Sequence, residues 1–137
     1  MYVKKMTYVD FDGNERTEDF YFNLSEAELA KLELEAEGGL SKMIEKITQE
    51  KDAKNMWDLF EKIVYISCGS KSADGRRFDK SPEAKANFTE TAAYSDFIME
   101  LATDAQLATD FINGLVKGSK VVLGKNPNLK MINDAGE

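Results

Sequence analysis

The stretch "MYVKKMTYVDFDGNERTEDFYF", residues 1–22, decides the fold. Two segments alternate apolar and polar residues, are rich in aromatic and β-branched types, and flank the pair Asp12-Gly13. An Asp-Gly pair supplies the positive φ angles that a tight hairpin turn requires. The pattern therefore predicts an N-terminal β-hairpin over residues 1–23, with a packed face formed by Met6, Tyr8, Phe20 and Phe22.

The sequence after the hairpin has helical periodicity. Ser25 and Glu28 have the spacing of a capping box, in which the serine accepts from a backbone N–H and the glutamate reaches back. Gly38 and Gly39 end this first helix, because glycine accepts the left-handed conformation at a helix C-terminus. Leu40 starts a second apolar stripe. The most hydrophobic segment, "NMWDLFEKIVYISCG" at residues 55–69, then predicts a central helix.

Two further boundaries define the C-terminal helices. Ser81-Pro82 is a helix start, because serine caps well and proline fits the first turn. Thr103 and Gln106 have the spacing of a second capping box, so we expect one helix to end and another to begin near Thr103.

These patterns predict a mainly α fold. An N-terminal β-hairpin is followed by a bundle of about five helices over residues 25–117, and residues 1–117 form a single domain. Residues 118–137 have little periodicity, and we expect them to be a flexible, disordered C-terminal tail.

Composition limits the classes of function. The 137 residues contain no histidine and one cysteine, Cys68, which excludes histidine-based catalysis, internal disulfides and cysteine-rich zinc sites. The spacing of Asp10, Asp12 and Asn14 resembles an EF-hand loop, but Glu15 occupies the position that requires glycine. The N-terminus is too polar for a signal peptide, and no apolar run is long enough for a membrane span. We expect a cytoplasmic protein that is not an enzyme and binds no metal, cofactor or membrane.

Acidic residues are concentrated in the N-terminal part of the chain. The formal net charge is −7, and residues 1–37 contain ten acidic and four basic side chains, a net −6. A chain with no basic stripe is a poor nucleic-acid binder, since neutralising phosphates supplies most of that affinity. Glu33, Glu35 and Glu37 point apart on a helix, so we interpret them as a solvated face and not as a catalytic pair.

The loop "SADGRRFDKSPEAKANF", residues 72–88, contains two adjacent arginines, Arg76 and Arg77. Acidic neighbours, Asp74 and Asp79 among them, are close enough in sequence to pair with both. We therefore interpret the loop as a structural joint, anchored to the core by Phe78, and not as an anion-binding site.

Four motifs together resemble a known family. Gly75, Phe78 and Ser81 precede a helix, "FTETAAY" contains Phe88, Thr91, Ala93 and Tyr94, and "ATDFINGLV" lies near the end. The N-terminal "YVDFDGNERTEDFYFNLSEAEL" has a hairpin-then-helix pattern. This sequence is similar to the tail assembly chaperones of long-tailed bacteriophages (siphoviruses) that infect Gram-positive bacteria. The resemblance covers residues 1 to about 117 and is carried by packing and capping residues.

The resemblance implies a small, non-enzymatic protein that acts in the host cytoplasm during phage assembly. Such proteins bind the long, hydrophobic tape measure protein and keep it soluble. They help recruit tail tube protein subunits around it and leave before the virion is complete. We also expect a homo-oligomer. Many members have a longer form made by ribosomal frameshifting, so residues 118–137 are a native tail, an appended sequence or part of such an extension.

A chaperone for helical segments requires an apolar groove. We expect the helices to supply spare apolar faces, with flexible methionines that accept varied sequences. The alternative is one closed core that uses the same side chains. The candidate partner-binding residues are Met43, Ile44, Ile47, Met56, Trp57, Phe60, Phe97, Ile98, Met99 and Phe111.

Two other classes of function stay open at this point. A small virion structural protein, such as a head–tail connector or a tail completion protein, would remain in purified particles. A small enzyme or an acidic mimic of nucleic acid is disfavoured by the missing histidine and by the confinement of net acidic charge to residues 1–37.

Overall fold

The computed structural model describes residues 1–36, 38–42, 45 and 53–117. Residues 39–42 and 45 are helical. The tail predicted at 118–137, and the candidate residues Met43, Ile44 and Ile47, lie outside the described residues. The other elements, in chain order, are β1 (Tyr2–Val9), β2 (Glu15–Phe22), α1 (Glu26–Glu35), α2 (Ala53–Ser67), β3 (Cys68–Lys71), β4 (Phe78–Asp79), α3 (Pro82–Thr89), α4 (Ala92–Thr103) and α5 (Ala105–Val116).

The four strands form one antiparallel sheet in the order β1-β2-β3-β4. The hairpin is paired along its whole length, from Tyr2 opposite Phe22 to Val9 opposite Glu15. The strand β3 pairs with β2 at Tyr21 and Phe22 and then pairs with β4 through Ser70 and Lys71. The sheet therefore continues beyond one end of the hairpin.

The prediction of a mainly α fold is wrong, because the chain is a mixed α/β protein. The hairpin and the helices are present, but β3 and β4 extend the hairpin into a four-stranded sheet. Their sequences, CGSK and FD, are short and have no alternating apolar pattern. The strand β3 forms beside Tyr21, whose backbone groups face away from β1 and require hydrogen-bond partners, and β4 then pairs with β3.

The hairpin turn contains one residue with a positive φ angle, whereas the Asp-Gly pair predicted more than one. Gly13 has φ of +86°, and no described non-glycine residue has a positive φ. The Asp10 N–H donates to the Asn14 oxygen over 2.8 Å, and the Gly13 N–H donates to the Asp10 oxygen over 3.0 Å. The Asp10 carboxylate also accepts from the N–H groups of Asp12 and Asn14. The turn is therefore built around the Asp10 side chain and one glycine.

Aromatic side chains join the sheet to the helices. Phe22 is fully buried, and its ring centroid lies 5.4 Å from each of the Phe88, Phe97 and Phe111 rings. These three partners come from α3, α4 and α5, so one residue of β2 contacts all three C-terminal helices. Val3, on the opposite face of the hairpin, is 47% exposed. The helical layer therefore covers one face of the hairpin.

The structure confirms two of the predicted helix starts and corrects the third. Ser25 and Glu28 form the full capping box of α1, and Ser81 caps α3 with Pro82 in its first turn. The break after α4 is where the sequence predicted it, but the cap of α5 is Asp104. Its carboxylate accepts from the N–H groups at positions 106 and 107, whereas the Thr103 hydroxyl donates to the Met99 carbonyl. Asp104 therefore takes the role predicted for Thr103.

Glu33 is buried, which contradicts the prediction of a solvated acidic face. Glu33 is 1% exposed, and its Oε1 accepts a hydrogen bond from the Leu40 N–H over 2.8 Å. Leu40 is in the first turn of the helical residues 39–42. The N–H groups of a first turn have no intrahelical acceptor. The carboxylate therefore supplies that acceptor from the preceding helix.

Candidate partner-binding surface

The predicted partner-binding residues divide by exposure. Phe60, Phe97, Ile98 and Phe111 are at most 3% exposed and belong to the hydrophobic core. A partner could contact them only if the core opened. Met56 and Trp57 are half-buried against the core, and Met99 is 51% exposed on α4. The described members of the predicted set therefore do not line one common groove.

A groove that sequence reasoning did not identify lies beside β2. Its volume is about 750 Å³, and its walls come from the hairpin, the last three residues of β3, α3 and the turn before α4. Phe20 and Phe88 meet in it with ring centroids 4.8 Å apart, and Tyr8 lies 6.2 Å from Phe20. The groove therefore has an aromatic floor next to a strand.

The hairpin tip adds an exposed aromatic side chain to this groove. Phe11 lines it and is 83% exposed, and the neighbouring Val9 is 57% exposed. The sequence contains a signal for this, because a phenylalanine between Asp10 and Asp12 is unusual in a turn made of polar residues. Nothing in a one-dimensional pattern places it beside Phe88.

Acidic groups predominate at the rim. The groove is lined by five carboxylates and two basic side chains, a net formal charge of −3. Arg16 binds Asp10 over 2.7 Å and Glu18 over 3.4 Å. The hydrogen bond from Arg16 and those from the turn N–H groups hold the pKa of Asp10 below its usual 3.8. The Tyr8 hydroxyl donates to Glu18 over 2.8 Å, and burial together with this bond raises the pKa of Tyr8.

The groove follows an open strand edge. The strand β3 pairs with β2 at Tyr21 and Phe22, and none of the described residues forms a strand beside Glu15–Phe20 on that side. Backbone N–H and C=O groups on an unpaired edge are available to another chain. The arrangement can therefore bind a polypeptide through its backbone as well as through side chains.

A second, smaller cleft lies between β1 and α4. Its volume is about 400 Å³, and it is lined by Met6, Tyr8, Asp96, Met99 and Glu100 among others. It contains Met99, the exposed member of the predicted set. Its apolar content is limited, so the groove beside β2 is the better developed binding surface.

The loop with the two arginines connects β3 to β4. Gly75 has φ of +76°, and the Ser72 N–H donates to the Arg77 carbonyl over 2.9 Å. Arg76 lies 3.9 Å from Asp74 with most of its side chain exposed. Lys80 then joins this segment to α1, since its Nζ lies 2.6 Å from the Glu28 carboxylate. These contacts agree with a structural joint, but Phe78 is half-buried and is not among the residues of the hydrophobic core, so it is not the core anchor that the sequence predicted.

The described residues contain no grouping of three or more His, Cys, Asp or Glu side chains arranged to hold a metal ion. Among the helices of residues 1–36, 38–42, 45 and 53–117, none combines the length and the apolar character needed to span a bilayer.

Comparison with known proteins assigns the chain to a family. A search of curated proteins found no match, and a search of solved structures also found none. A family model described as phage tail assembly chaperone matches residues 1–118. This match spans every element from β1 to α5. The chain therefore belongs to the phage tail assembly chaperone family.

Proposed function

We propose that this chaperone binds the tape measure protein of its phage, keeps it soluble and helps recruit tail tube protein subunits around it. The observation that carries the proposal is the family match over residues 1–118, which includes the whole sheet and every named helix. The tape measure protein is the long hydrophobic component of a tail, so it is the component that most needs a chaperone before assembly.

The exposed apolar side chains support this role. A protein that shields a hydrophobic client must offer apolar area while staying soluble itself. Phe11, Val9 and the groove beside β2 offer that area, and the net charge of −7 favours solubility. Met56, Trp57 and Met99 are proposed as additional contacts, because part of each side chain reaches the surface.

We propose further that the protein is not an enzyme and uses no cofactor. The chaperone family has a binding role, and a chain without histidine lacks the commonest general base. Its function would then rest on apolar contacts and backbone hydrogen bonds with a partner, which require an accessible surface and no catalytic group.

We propose that the protein acts as a homo-oligomer in the host cytoplasm and that its phage is a siphovirus of Gram-positive bacteria. We propose also that the protein is absent from the finished virion. Mass spectrometry of purified virions should detect none of it, and stoichiometric amounts would instead support a virion structural protein. Sedimentation of the purified chain should show an assembly larger than 15.4 kDa, and a monomer at all concentrations would contradict the oligomer.

Co-expression tests the main proposal. The tape measure protein of the same phage should be insoluble alone and soluble with the chaperone, and the two should co-purify. Phe11→Ser should reduce the soluble fraction severalfold, because it removes the most exposed aromatic side chain beside the groove. Leu34→Ser is the matched control, since Leu34 is 56% exposed on α1 and does not line the groove. If the client stays insoluble with the wild-type chaperone, the proposal is wrong.

A further inference from the structure

We propose that the open edge of β2 binds an extended segment of the tape measure protein as an added strand. The segment would have about six residues with apolar and basic side chains in alternation. This inference rests on the proposed function and specifies its site and its mode of binding. It replaces the helix-in-groove mode that the sequence suggested for the client.

The hydrogen-bond pattern of the hairpin identifies which backbone groups are available. In an antiparallel ladder, residues that exchange hydrogen bonds alternate with residues that do not. The Asp10 N–H bonds to Asn14, so the next pair, Val9 and Glu15, does not exchange bonds, and the alternation continues from there. Glu15, Thr17 and Asp19 therefore direct their N–H and C=O groups away from β1, toward the open edge of β2, and Asp19 also lines the groove.

The unpaired edge of β2 has the length of a short strand. The strand β3 pairs with β2 only at Tyr21 and Phe22, and Ser70 and Lys71 pair with β4, so no described strand pairs with β2 from Glu15 to Phe20. The edge from Glu15 to Phe20 spans about 20 Å at the usual rise of a strand. This length fits a segment of about six residues. The Phe88 ring of α3 lines the groove.

The two faces of β2 specify the side chains of the segment. On the face toward the helices, the new strand would meet Phe20, Phe88 and Tyr8, which favour apolar residues. On the opposite face it would meet Asp19, whose carboxylate also lies 3.2 Å from the exposed Lys5 ammonium, and Asp12 and Glu90 line the groove as well. Cross-strand pairs of opposite charge are favourable and like charges are not. The net charge of −3 over the whole groove therefore favours basic over acidic side chains in the segment, and the apolar residues of the other face set the alternation.

Thr17 and Thr7 provide a matched pair of variants. They lie opposite each other in the hairpin, are both exposed, and share one hydrogen bond between their hydroxyls at 2.9 Å. Each directs its N–H away from the other strand, Thr17 toward the open edge of β2 and Thr7 toward the outer edge of β1. Proline removes that N–H and is tolerated where the N–H faces outward on an edge. Both substitutions also remove the same hydroxyl contact.

The test measures retention of the tape measure protein by each variant. Thr17→Pro should weaken retention at least tenfold, whereas Thr7→Pro should stay within twofold of wild type, with similar melting temperatures for both. Equal effects of the two substitutions, or a larger effect of Thr7→Pro, would overturn the inference. If the wild-type protein retains no tape measure protein at all, the proposed function fails first.

A peptide separates the two failures. The probe is a seven-residue peptide that alternates lysine and valine, blocked at both ends, with a glutamate–valine peptide as control. The lysine peptide should bind the wild-type protein at least tenfold more tightly than the glutamate peptide. Binding should slow hydrogen exchange of the Thr17 and Asp19 amides. The Thr17→Pro variant should not bind the lysine peptide. Equal affinity for both peptides, or unchanged affinity in Thr17→Pro, would overturn the inference even if the tape measure protein is bound.

Discussion

The Lys85 ammonium lies 3.0 Å from the carbonyl oxygen of Cys68 and donates a hydrogen bond to it. The same ammonium donates to the Tyr65 carbonyl and lies 4.9 Å from the centroid of the Tyr65 ring. Tyr65 is in the last turn of α2 and Cys68 begins β3, so α3 holds the junction between them. A cation at a helix C-terminus also opposes the negative end of the helix dipole. Burial lowers the pKa of Lys85.

We therefore expect Lys85→Met to destabilise the protein by about 2 kcal/mol, because two carbonyls lose a charged donor. Urea unfolding measures the change. Lys71→Met is the control, since Lys71 is exposed and its ammonium donates to the carbonyl of the adjacent Ser72. Its effect should be under about 0.5 kcal/mol. Equal effects of the two substitutions would show that the buried ammonium has no special role.

Gly69 should not tolerate a side chain. A Cβ on this residue would lie 2.4 Å from the Asp79 carbonyl oxygen and 2.8 Å from the Phe78 ring. We expect Gly69→Ala to cost about 1–3 kcal/mol, since the backbone of β4 would have to move. Amide exchange should show reduced protection in β3 and β4 and unchanged protection in the hairpin. Ser70→Ala, one residue further along β3, should be nearly neutral.

The predicted partner-binding residues should separate by what their loss affects. Phe97 is fully buried, and Phe97→Ala should lower the free energy of unfolding by about 3–5 kcal/mol. Met99 is 51% exposed, so Met99→Ala should change stability by less than about 0.5 kcal/mol. Chemical unfolding of both variants decides this. A small effect of Phe97→Ala would mean that the core is looser than the ring contacts at 5.3–5.4 Å imply.

Glu28 should make the protein less stable in acid. Burial raises the pKa of this carboxyl, but the hydrogen bonds from Lys80 and the Ser25 N–H outweigh it, so its pKa lies below 4.5. The unfolded chain then binds its proton first as the pH falls. The stabilisation by Glu28 is complete above about pH 4.5 and is lost as the pH falls through the lower folded value.

The melting temperature of Glu28→Gln, compared with wild type across pH 2 to 7, measures this contribution. The wild-type advantage should be constant near neutral pH and should shrink below about pH 4.5. Lys80→Met removes the partner and should weaken the same pH dependence. A difference that does not change with pH would indicate that the contact is not electrostatic.

Local signals in the sequence predicted much of the fold. The alternation in residues 1–22 predicted the hairpin, Ser25 with Glu28 predicted the start of α1, and Ser81-Pro82 predicted the start of α3. In each case the interacting groups are close in sequence. The error at Thr103 is of the same local kind, since Asp104, one residue further, is the stronger cap.

The features that sequence reasoning missed depend on groups that are far apart along the chain. Glu33 is buried because Leu40 requires an acceptor, and Lys85 is buried because α2 ends beside α3. The groove combines the hairpin with Phe88 from another element, beside a β2 edge that β3 pairs with only at Tyr21 and Phe22. No periodicity in one segment contains these relationships.

The sequence by itself determined the hairpin, the positions of most helices and, through its motifs, the family. Those properties follow from propensities and caps, which act over a few residues. Tertiary structure decided that CGSK and FD become strands, that the aromatic candidates Phe97 and Phe111 form the core, and that the edge of β2 stays open. These outcomes follow from which elements meet, because an unpaired backbone group or an apolar side chain is satisfied by whatever packs against it.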